Sequence, residues 1–594
     1  MSHDAPGLFL APASAPAPGD SPVDAFGRQV SAEGTLASRA HTERCHCLFD
    51  GLLTDGRQAG GSDAEAALKA YRRDGVDGLA ALEGFYNLCL VDRAERTTYL
   101  LSDPLCSRPL YLYRGADRVA AAPTPLAFAD WDLPMRLSRQ GLYGVFRFLH
   151  SGGRQTLVEE VERLQPGLLY QIDAEGALAS RRVHSLDYDV APDMTLDEAT
   201  GWLKDSFADV MDGILSHPAL EGRDIHLPLT AGLDSRHILG ELIEQGRAPD
   251  QIRHVYIRQD EYDPVRQIAD GLDIPLHCVP VGELDVPRLA RRWMARSGGL
   301  VNVHQSYLLH LAQHDAPEAV LGFNGYLMDW FLGIAPRNRP PADDPLKPLW
   351  SRTYTRPNML RALFPDEEEL QAPARRQLNE MVASVEGPPW YRMLMGDFHQ
   401  RGLHYTGIVD PMLADDALYV SPGAHRWSLS FVRTAPKDVA GERRARLEAM
   451  RRHFPDLAAY PDPNGVPYAE QTMIQKSKGS RWEKVRPILK AVATGFRHDP
   501  APESEHAWLR RIAPFHEMHR RAVFDSALVR DGHLRSWGVK GAWYLLRAGG
   551  FQAWPLMSLL TAETAYRLLV KQQSLDDVSE WLWAQTDRSA PSAA

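Results

Sequence analysis

The stretch Ile225-His226-Leu227-Pro228-Leu229-Thr230-Ala231-Gly232-Leu233-Asp234-Ser235-Arg236 decides the fold of the larger part of this chain. An apolar run ends in a turn of small residues, and apolar side chains then recur at helical spacing from His237 to Gln245. Such a strand, turn and helix start favour an anion site, because the first N–H groups of a helix have no partner within it. The alternative is an ordinary strand–turn–helix unit capped by Asp234 or Ser235.

The polar side chains of this turn suit the phosphates of a nucleotide. Thr230 and Ser235 can donate to phosphate oxygens, Asp234 can hold a metal ion, and Arg236 adds a cation. The stretch resembles the S-G-G-x-D-S pyrophosphate loop of the ATP pyrophosphatases, and its surroundings resemble the asparagine synthetase family. The resemblance implies that this turn binds ATP through Leu229, Thr230, Ala231, Gly232, Leu233, Asp234, Ser235 and Arg236. It departs from the pattern at Ala231, which replaces a glycine and restricts the backbone.

Length and composition bound the remaining possibilities. At 594 residues the chain exceeds one ordinary core, so two or more domains are expected. The net charge of -11 implies no nucleic-acid surface. Five cysteines, an odd and sparse set, favour a reducing compartment. The sequence shows neither a long apolar run nor a signal peptide, so we expect a cytoplasmic protein without a membrane partner.

The N-terminal third predicts a loose arm over residues 1–40, rich in Ala, Pro and Gly, and then short alternating strands over residues 41–190. The second segment resembles the glutaminase domain of the same family, an Ntn-hydrolase-like β-sandwich. The matching stretches are 82–86, 103–111 and 164–167. That glutaminase uses a cysteine at residue 2 as its nucleophile, whereas this chain has Ser2. We therefore predict a domain that kept the fold and lost glutamine hydrolysis.

Residues 191–594 alternate strand and helix patterns before a largely helical C-terminal region. The alternation predicts a doubly wound parallel sheet with its ligand at the carboxyl ends of the strands. Ile257, near the end of the second predicted strand, is a further candidate nucleotide contact. The predicted fold is therefore an α+β sandwich followed by an α/β ATP pyrophosphatase domain with a helical extension.

A second block, residues 319–333, resembles the family's G-x-G-x-D-E strand and loop in part. Gly322 and Gly325 fit this pattern as nucleotide contacts. The acidic pair is absent from its usual position, and Asp329 is the only carboxylate nearby. Asp329 is either a metal ligand or a helix cap. If it is a ligand, Mg²⁺ would rest on Asp234, Asp329 and the ATP phosphates, which is compatible with the few protein ligands that Mg²⁺ needs.

Later positions supply candidate catalytic residues. The spacing of Arg401 and Gly407 matches another family block, in which a Glu faces the active site, but Val409 stands at that position here. Either Asp410 takes over the role of that Glu, or the substrate carries different polar groups. Tyr405 resembles the catalytic phenol of the β-lactam synthetases, although a buried structural tyrosine is the alternative. Lys476 and Lys478 are candidates for the lysine that covers the ATP phosphates, with a solvated basic turn as the alternative.

The resemblance implies an ATP-dependent, AMP-forming amide ligase that uses ATP and Mg²⁺. Without a glutaminase, the amine would come from a small-molecule or peptide substrate, as in lasso-peptide cyclases and β-lactam synthetases, and a biosynthetic partner protein is an option. The alternatives are an amidotransferase that uses ammonia or glutamine, and a non-catalytic scaffold.

Overall fold

Two antiparallel sheets of six strands each form the N-terminal part of the protein in the computed structural model. The structure describes residues 7–12, 23–55, 61–116, 118–247, 252–256, 259–312, 320–333, 344–413, 418–463, 465–471, 508–509, 511–547 and 553–583. The first twelve strands are β1 Gly7–Ala11, β2 Val23–Asp24, β3 Gln29–Glu33, β4 Ala37–His41, β5 Cys45–Leu53, β6 Gly84–Asp92, β7 Thr97–Ser102, β8 Tyr111–Arg114, β9 Val119–Ala122, β10 Val161–Arg163, β11 Leu168–Asp173 and β12 Leu178–Arg182. The sheet orders are β10-β8-β9-β1-β3-β2 and β12-β11-β7-β6-β5-β4.

The sheets pack face to face, and helices cover their outer faces. Strand β6 is buried on both faces, and all nine of its residues are buried. Cys89 and Val91 face the other sheet, while Leu88 and Leu90 face helix α1 (Asp63–Asp74). Helix α1 begins at a capping box made by Ser62 and Glu65. This helix–sheet–sheet–helix layering agrees with the sandwich predicted for this segment.

The predicted flexible arm over residues 1–40 is wrong for the part of it that the structure describes. Strands β1 and β3 pair with each other from Gly7 to Ala11, and β1 also pairs with β9. Leu8, Leu10 and Val30 are buried between the sheets. Apolar side chains in alternation thus tie these strands to the core, although the surrounding Ala- and Pro-rich composition obscures them.

Parallel strands follow, as predicted. Within the described residues, however, their hydrogen bonds form two separate sheets. Strand β13 Asp224–His226, β16 Val320–Phe323 and β17 Leu418–Val420 form one parallel sheet in that order. Strand β14 Ile252–Tyr256 pairs with β15 Leu276–Pro280 in another. The single doubly wound sheet of the sequence interpretation is therefore only partly matched.

Helices make up most of the other described residues. The helices that follow α1 are α2 Val76–Ala80, α3 Leu126–Asp130, α4 Arg139–Phe148, α5 Leu196–Leu215, α6 Leu233–Glu244, α7 Gln259–Gly271, α8 Val286–Ser297, α9 Met328–Phe331, α10 Leu346–Ser351, α11 Pro357–Leu363, α12 Glu367–Ala383, α13 Pro389–Asp397, α14 Val409–Leu413, α15 Arg426–Thr434, α16 Lys437–Ala440, α17 Arg444–His453, α18 Pro455–Ala458, α19 Ala513–Phe524, α20 Ala527–Arg530, α21 Ser536–Arg547, α22 Trp554–Ala565 and α23 Leu575–Trp583. Two π-helical segments, Phe398–Thr406 and Tyr566–Val570, interrupt this pattern.

Polar contacts join the sandwich to the rest of the chain. Arg426 donates to Glu83 at 2.9 Å, and Thr54 Oγ1 lies 3.0 Å from His425 Nε2. The buried guanidinium of Arg163 donates to the carbonyl of Leu403. Among the described helices, none is long and apolar enough to cross a membrane.

Candidate functional site

The predicted phosphate turn lies between the carboxyl end of strand β13 and the start of helix α6. Leu229, Ala231 and Leu233 point into the core and are almost fully buried, whereas Thr230 is exposed. Residues 227–236 are not among those with positive φ, so the turn needs no left-handed backbone. Ala231 therefore causes no backbone strain here, contrary to the restriction expected from its replacing a glycine.

A hydroxyl network holds the turn closed on itself. The Thr230 amide donates to Ser235 Oγ at 3.1 Å, and Ser235 Oγ donates back to the Thr230 carbonyl at 3.1 Å. The Gly232 amide donates to Thr230 Oγ1 at 3.1 Å. Ser235 is buried and engaged, so it supports the turn rather than facing a ligand. The N-cap of helix α6 is Gly232, which has no side chain to cap the helix. The start of the helix is therefore suited to an anion.

Arg236 differs from its expected role as a phosphate-binding cation. Its guanidinium is fully buried and donates to the carbonyls of Ala231, Leu457, Tyr460 and Pro461. Burial lowers its pKa to about 10. The side chain therefore fixes the turn against the segment after helix α18, because its donors are already engaged with carbonyls.

Asp234 and Asp329, the two candidate metal ligands, belong to one ion-pair network. Arg446, which is fully buried, pairs with Asp234 and lies 3.5 Å from Asp329, while Arg443 pairs with the other oxygen of Asp329. Burial raises the pKa of Asp234 to about 6, and the two guanidinium groups oppose that shift. The described residues contain no group of three His, Cys, Asp or Glu side chains placed to hold a metal.

The network opens into a cavity of about 700 Å³. Its lining includes Asp234, Gly325, Asp329, Trp330, Arg352, Arg401 and Arg443. This volume lies within the range of about 300–1,000 Å³ that is typical of ligand sites. Two lining residues, Leu327 at φ 66° and Arg443 at φ 61°, have a left-handed backbone that non-glycine residues rarely adopt. Such outliers are often found at functional sites.

The two candidate glycines have different surroundings. A β-carbon on Gly325 would lie 2.5 Å from Cβ of Asp234, so the loop after β16 approaches the turn more closely than a side chain allows. A β-carbon on Gly322 would lie 2.4 Å from the ring of Tyr419, whose hydroxyl lies 2.7 Å from His226 Nδ1. Gly325 thus lines the cavity, while Gly322 serves packing within the sheet.

Asp410 and Tyr405 have different surroundings. Asp410 lines a second, small cavity of about 30 Å³ at the boundary with the sandwich, beside Arg108. Tyr326 and Leu327 line both cavities and so separate them. Tyr405 lies in the first π-helical segment, with its ring 5.3 Å from the guanidinium carbon of Arg401. The candidate residues Ile257, Lys476 and Lys478 lie outside the described residues.

Asp410 has an environment that favours the neutral acid. Its Oδ1 is buried and makes no hydrogen bond within the described residues. Burial raises its pKa to about 7, while the polar groups of Ser421 and Asn324 oppose the shift. A carboxyl that changes its charge near neutral pH suits proton transfer, so Asp410 stays a candidate, and Tyr326 and Leu327 separate it from the larger cavity.

We expect Asp410→Asn to flatten the pH dependence of stability. The folded protein keeps Asp410 protonated up to about pH 7, whereas the unfolded chain releases that proton near pH 4. The folded state therefore binds more protons in this window, and wild-type stability falls as pH rises through it. The variant should gain up to about 4 kcal/mol relative to wild type between pH 4 and pH 7, at about 1.4 kcal/mol per pH unit. Urea unfolding at pH 5 and pH 8 measures this, and equal pH profiles would contradict it.

Comparison with known proteins identifies the class of the N-terminal part. Residues 51–182 match the family model of a glutamine amidotransferase domain. No curated protein matches the chain. The sandwich therefore carries a glutamine amidotransferase-like domain, while the match ends before the turn at Leu229.

Two solved structures are similar at a low level. The glutamine phosphoribosylpyrophosphate amidotransferase from B. subtilis, complexed with ADP and GMP, is 14% identical with a TM-score of 0.21. That match covers 47% of this chain and 60% of the B. subtilis chain. A structure described as the allosteric regulatory enzyme of purine biosynthesis is 13% identical with a TM-score of 0.21, covering 47% of this chain and 75% of that one. Similarity at this level carries no information about the reaction of this protein.

Proposed function

We propose that the protein is an ATP-dependent, AMP-forming amide ligase of the asparagine synthetase type. The observation that carries the proposal is that Asp234 and Asp329 share one cavity at the carboxyl ends of two parallel strands, beside a helix start without a side-chain cap. Open α/β sheets bind ligands at this edge, and helix N-termini favour phosphate. ATP would supply the adenylyl group that makes a carboxylate reactive toward an amine.

The side chains present fit Mg·ATP as a ligand. Mg²⁺ needs one or two carboxylates together with substrate phosphates and water, and Asp234 with Asp329 would supply them. Arg443, which lines the cavity, would interact favourably with added phosphate charge, while the buried Arg446 would hold Asp234 in place. Tyr326 and Trp330 would limit the access of water to the reacting carboxylate.

The attacking amine would belong to a substrate rather than to ammonia released from glutamine. A serine at residue 2, in place of the cysteine that the resemblance implies, would be a weaker nucleophile than a thiol at neutral pH. The four cysteines of the sandwich, Cys45, Cys47, Cys89 and Cys106, are buried with free thiols, and burial raises the pKa of Cys47, for example, to about 12. We favour closure of a peptide macrolactam over formation of a β-lactam, in biosynthesis of a natural product.

Exchange of radiolabelled pyrophosphate into ATP tests the ligase proposal. The purified full-length protein, given Mg·ATP and a panel of carboxylic acids and acidic peptides, should show acid-dependent exchange and AMP release. Absence of exchange with every acid would favour a non-catalytic scaffold.

A second candidate function, glutamine-dependent amidation, is supported by the family match over residues 51–182. Release of glutamate from glutamine tests it. A release that disappears in Ser2→Ala would establish that function and contradict the predicted loss of glutaminase activity.

A further inference from the structure

Arg401 lies on the cavity wall with its guanidinium over two aromatic rings. It belongs to the π-helical segment Phe398–Thr406, a rare conformation that is frequent at functional sites. Its guanidinium carbon is 5.5 Å from the ring centre of Trp330 and 5.3 Å from that of Tyr405. The two rings hold the planar group by cation–π attraction without using its N–H donors.

Arg401 differs from the other arginines that line this cavity. Arg352 pairs with Asp397 at 2.6 Å, and Arg443 pairs with Asp329. Arg401 makes no hydrogen bond and no ion pair with any residue that the structure describes. A guanidinium that is oriented and partly buried, with no carboxylate partner among the described residues, is suited to bind an oxyanion from outside the chain.

We propose that Arg401 forms a binding subsite for an oxyanion, and that this oxyanion is a carboxylate of the acid substrate. The assignment rests on the proposed function, because it names the part of the cavity where the acid would lie. A carboxylate and a phosphate share the chemistry that Arg401 recognises, since both accept two parallel N–H bonds. The features that suit phosphate, the uncapped helix start and the carboxylates for Mg²⁺, belong to the turn at Asp234.

The wall around Arg401 suits the acid rather than the nucleotide phosphates. Trp330 lies against Arg401 and Tyr354 lines the same cavity, and this aromatic surface favours the apolar part of an acyl group. Arg401 would orient one carboxylate oxygen pair while the rings bury the attached carbon chain. It is a substrate-positioning residue in this assignment, and its loss should weaken acid binding without changing nucleotide affinity.

Protection from an arginine reagent tests the subsite without requiring turnover. The wild-type protein is treated with phenylglyoxal alone, with glutarate, or with Mg·ATP, and the modification of each arginine is followed by peptide mass spectrometry. Arg401 should react faster than the paired Arg352, and glutarate at about ten times its dissociation constant should slow the modification of Arg401 about tenfold, because only the unliganded fraction reacts. Mg·ATP alone should leave the rate within about twofold, a change of less than about 0.5 kcal/mol.

Two other outcomes would overturn the assignment. Protection by Mg·ATP but not by glutarate would identify the oxyanion as a nucleotide phosphate, and protection by neither would remove the subsite. Glutarate protection without any ATP–pyrophosphate exchange would leave the subsite and contradict the proposed function. The two proposals therefore fail separately.

Variants extend this test to any acid that supports exchange. Arg401→Met should raise KM for the acid about tenfold with KM for Mg·ATP unchanged, and Arg401→Lys should recover part of the loss because it keeps the charge but not the bidentate geometry. Arg288→Met, at an exposed arginine away from the cavity, is the matched control and should change neither constant. An equal rise of both KM values in Arg401→Met would contradict the assignment.

Discussion

Asp234→Asn should abolish ATP–pyrophosphate exchange to the limit of detection, with a loss of at least about 100-fold. The substitution keeps the size of the side chain but removes the charge that would hold Mg²⁺ at the turn. Burial raises the pKa of Asp234 to about 6, so wild-type exchange should also fall as the pH drops below about 6, when the carboxylate is protonated. Initial exchange rates between pH 5 and pH 8 measure both effects.

Asp224→Asn is the matched control for this substitution. Asp224 lies at the opposite end of strand β13 and is exposed, so its variant should keep full exchange. Circular dichroism would verify that both variants fold, since loss of Asp234 leaves the buried Arg446 with Asp329 as its remaining carboxylate partner. Exchange at the wild-type rate in folded Asp234→Asn would refute the metal assignment.

Sequence patterns were sufficient to predict helices and strands whose start signals and apolar spacing lie within the element itself. Helix α5, Leu196–Leu215, begins at the capping box of Thr195 and Glu198, a start signal that lies in adjacent residues. The helix after the phosphate turn is α6, as expected from its apolar spacing. Strand β6 was also predictable, because its alternating side chains face two different cores.

The partners of the site residues could not be predicted in the same way. Arg443 and Arg446 lie more than a hundred residues beyond Asp329 in the chain, and neither a motif nor a spacing links them to it. Arg236 adjoins Asp234 in sequence, so it was expected to be a ligand cation; the helix turns its side chain into the core instead. Tertiary contacts therefore decide which charges face the cavity.

Arg401 shows a similar limit. The sequence places Arg401 in a family block. Its suitability for binding an oxyanion, however, depends on its contacts with Trp330 and Tyr405 and on the absence of a carboxylate partner among the described residues. These features arise from the π-helical segment, whose hydrogen-bond pattern has no clear signature in a single sequence. A helical wheel drawn with α-helical spacing would therefore not predict that Tyr405 and Arg401 contact each other in this way.

Gly325→Ala should impair the site by geometry alone, since it changes no charge. The added β-carbon would lie 2.5 Å from Cβ of Asp234, so the turn must shift, and a misplacement of about 1 Å can cost about 100-fold in rate. The stabilisation of the protein by Mg·ATP in thermal unfolding should decrease in parallel, because it follows nucleotide affinity. Gly282→Ala is the control, since its β-carbon would meet nothing within 4 Å. If Gly325→Ala retains both exchange and Mg·ATP stabilisation, the close approach of this loop to Asp234 has no part in nucleotide binding.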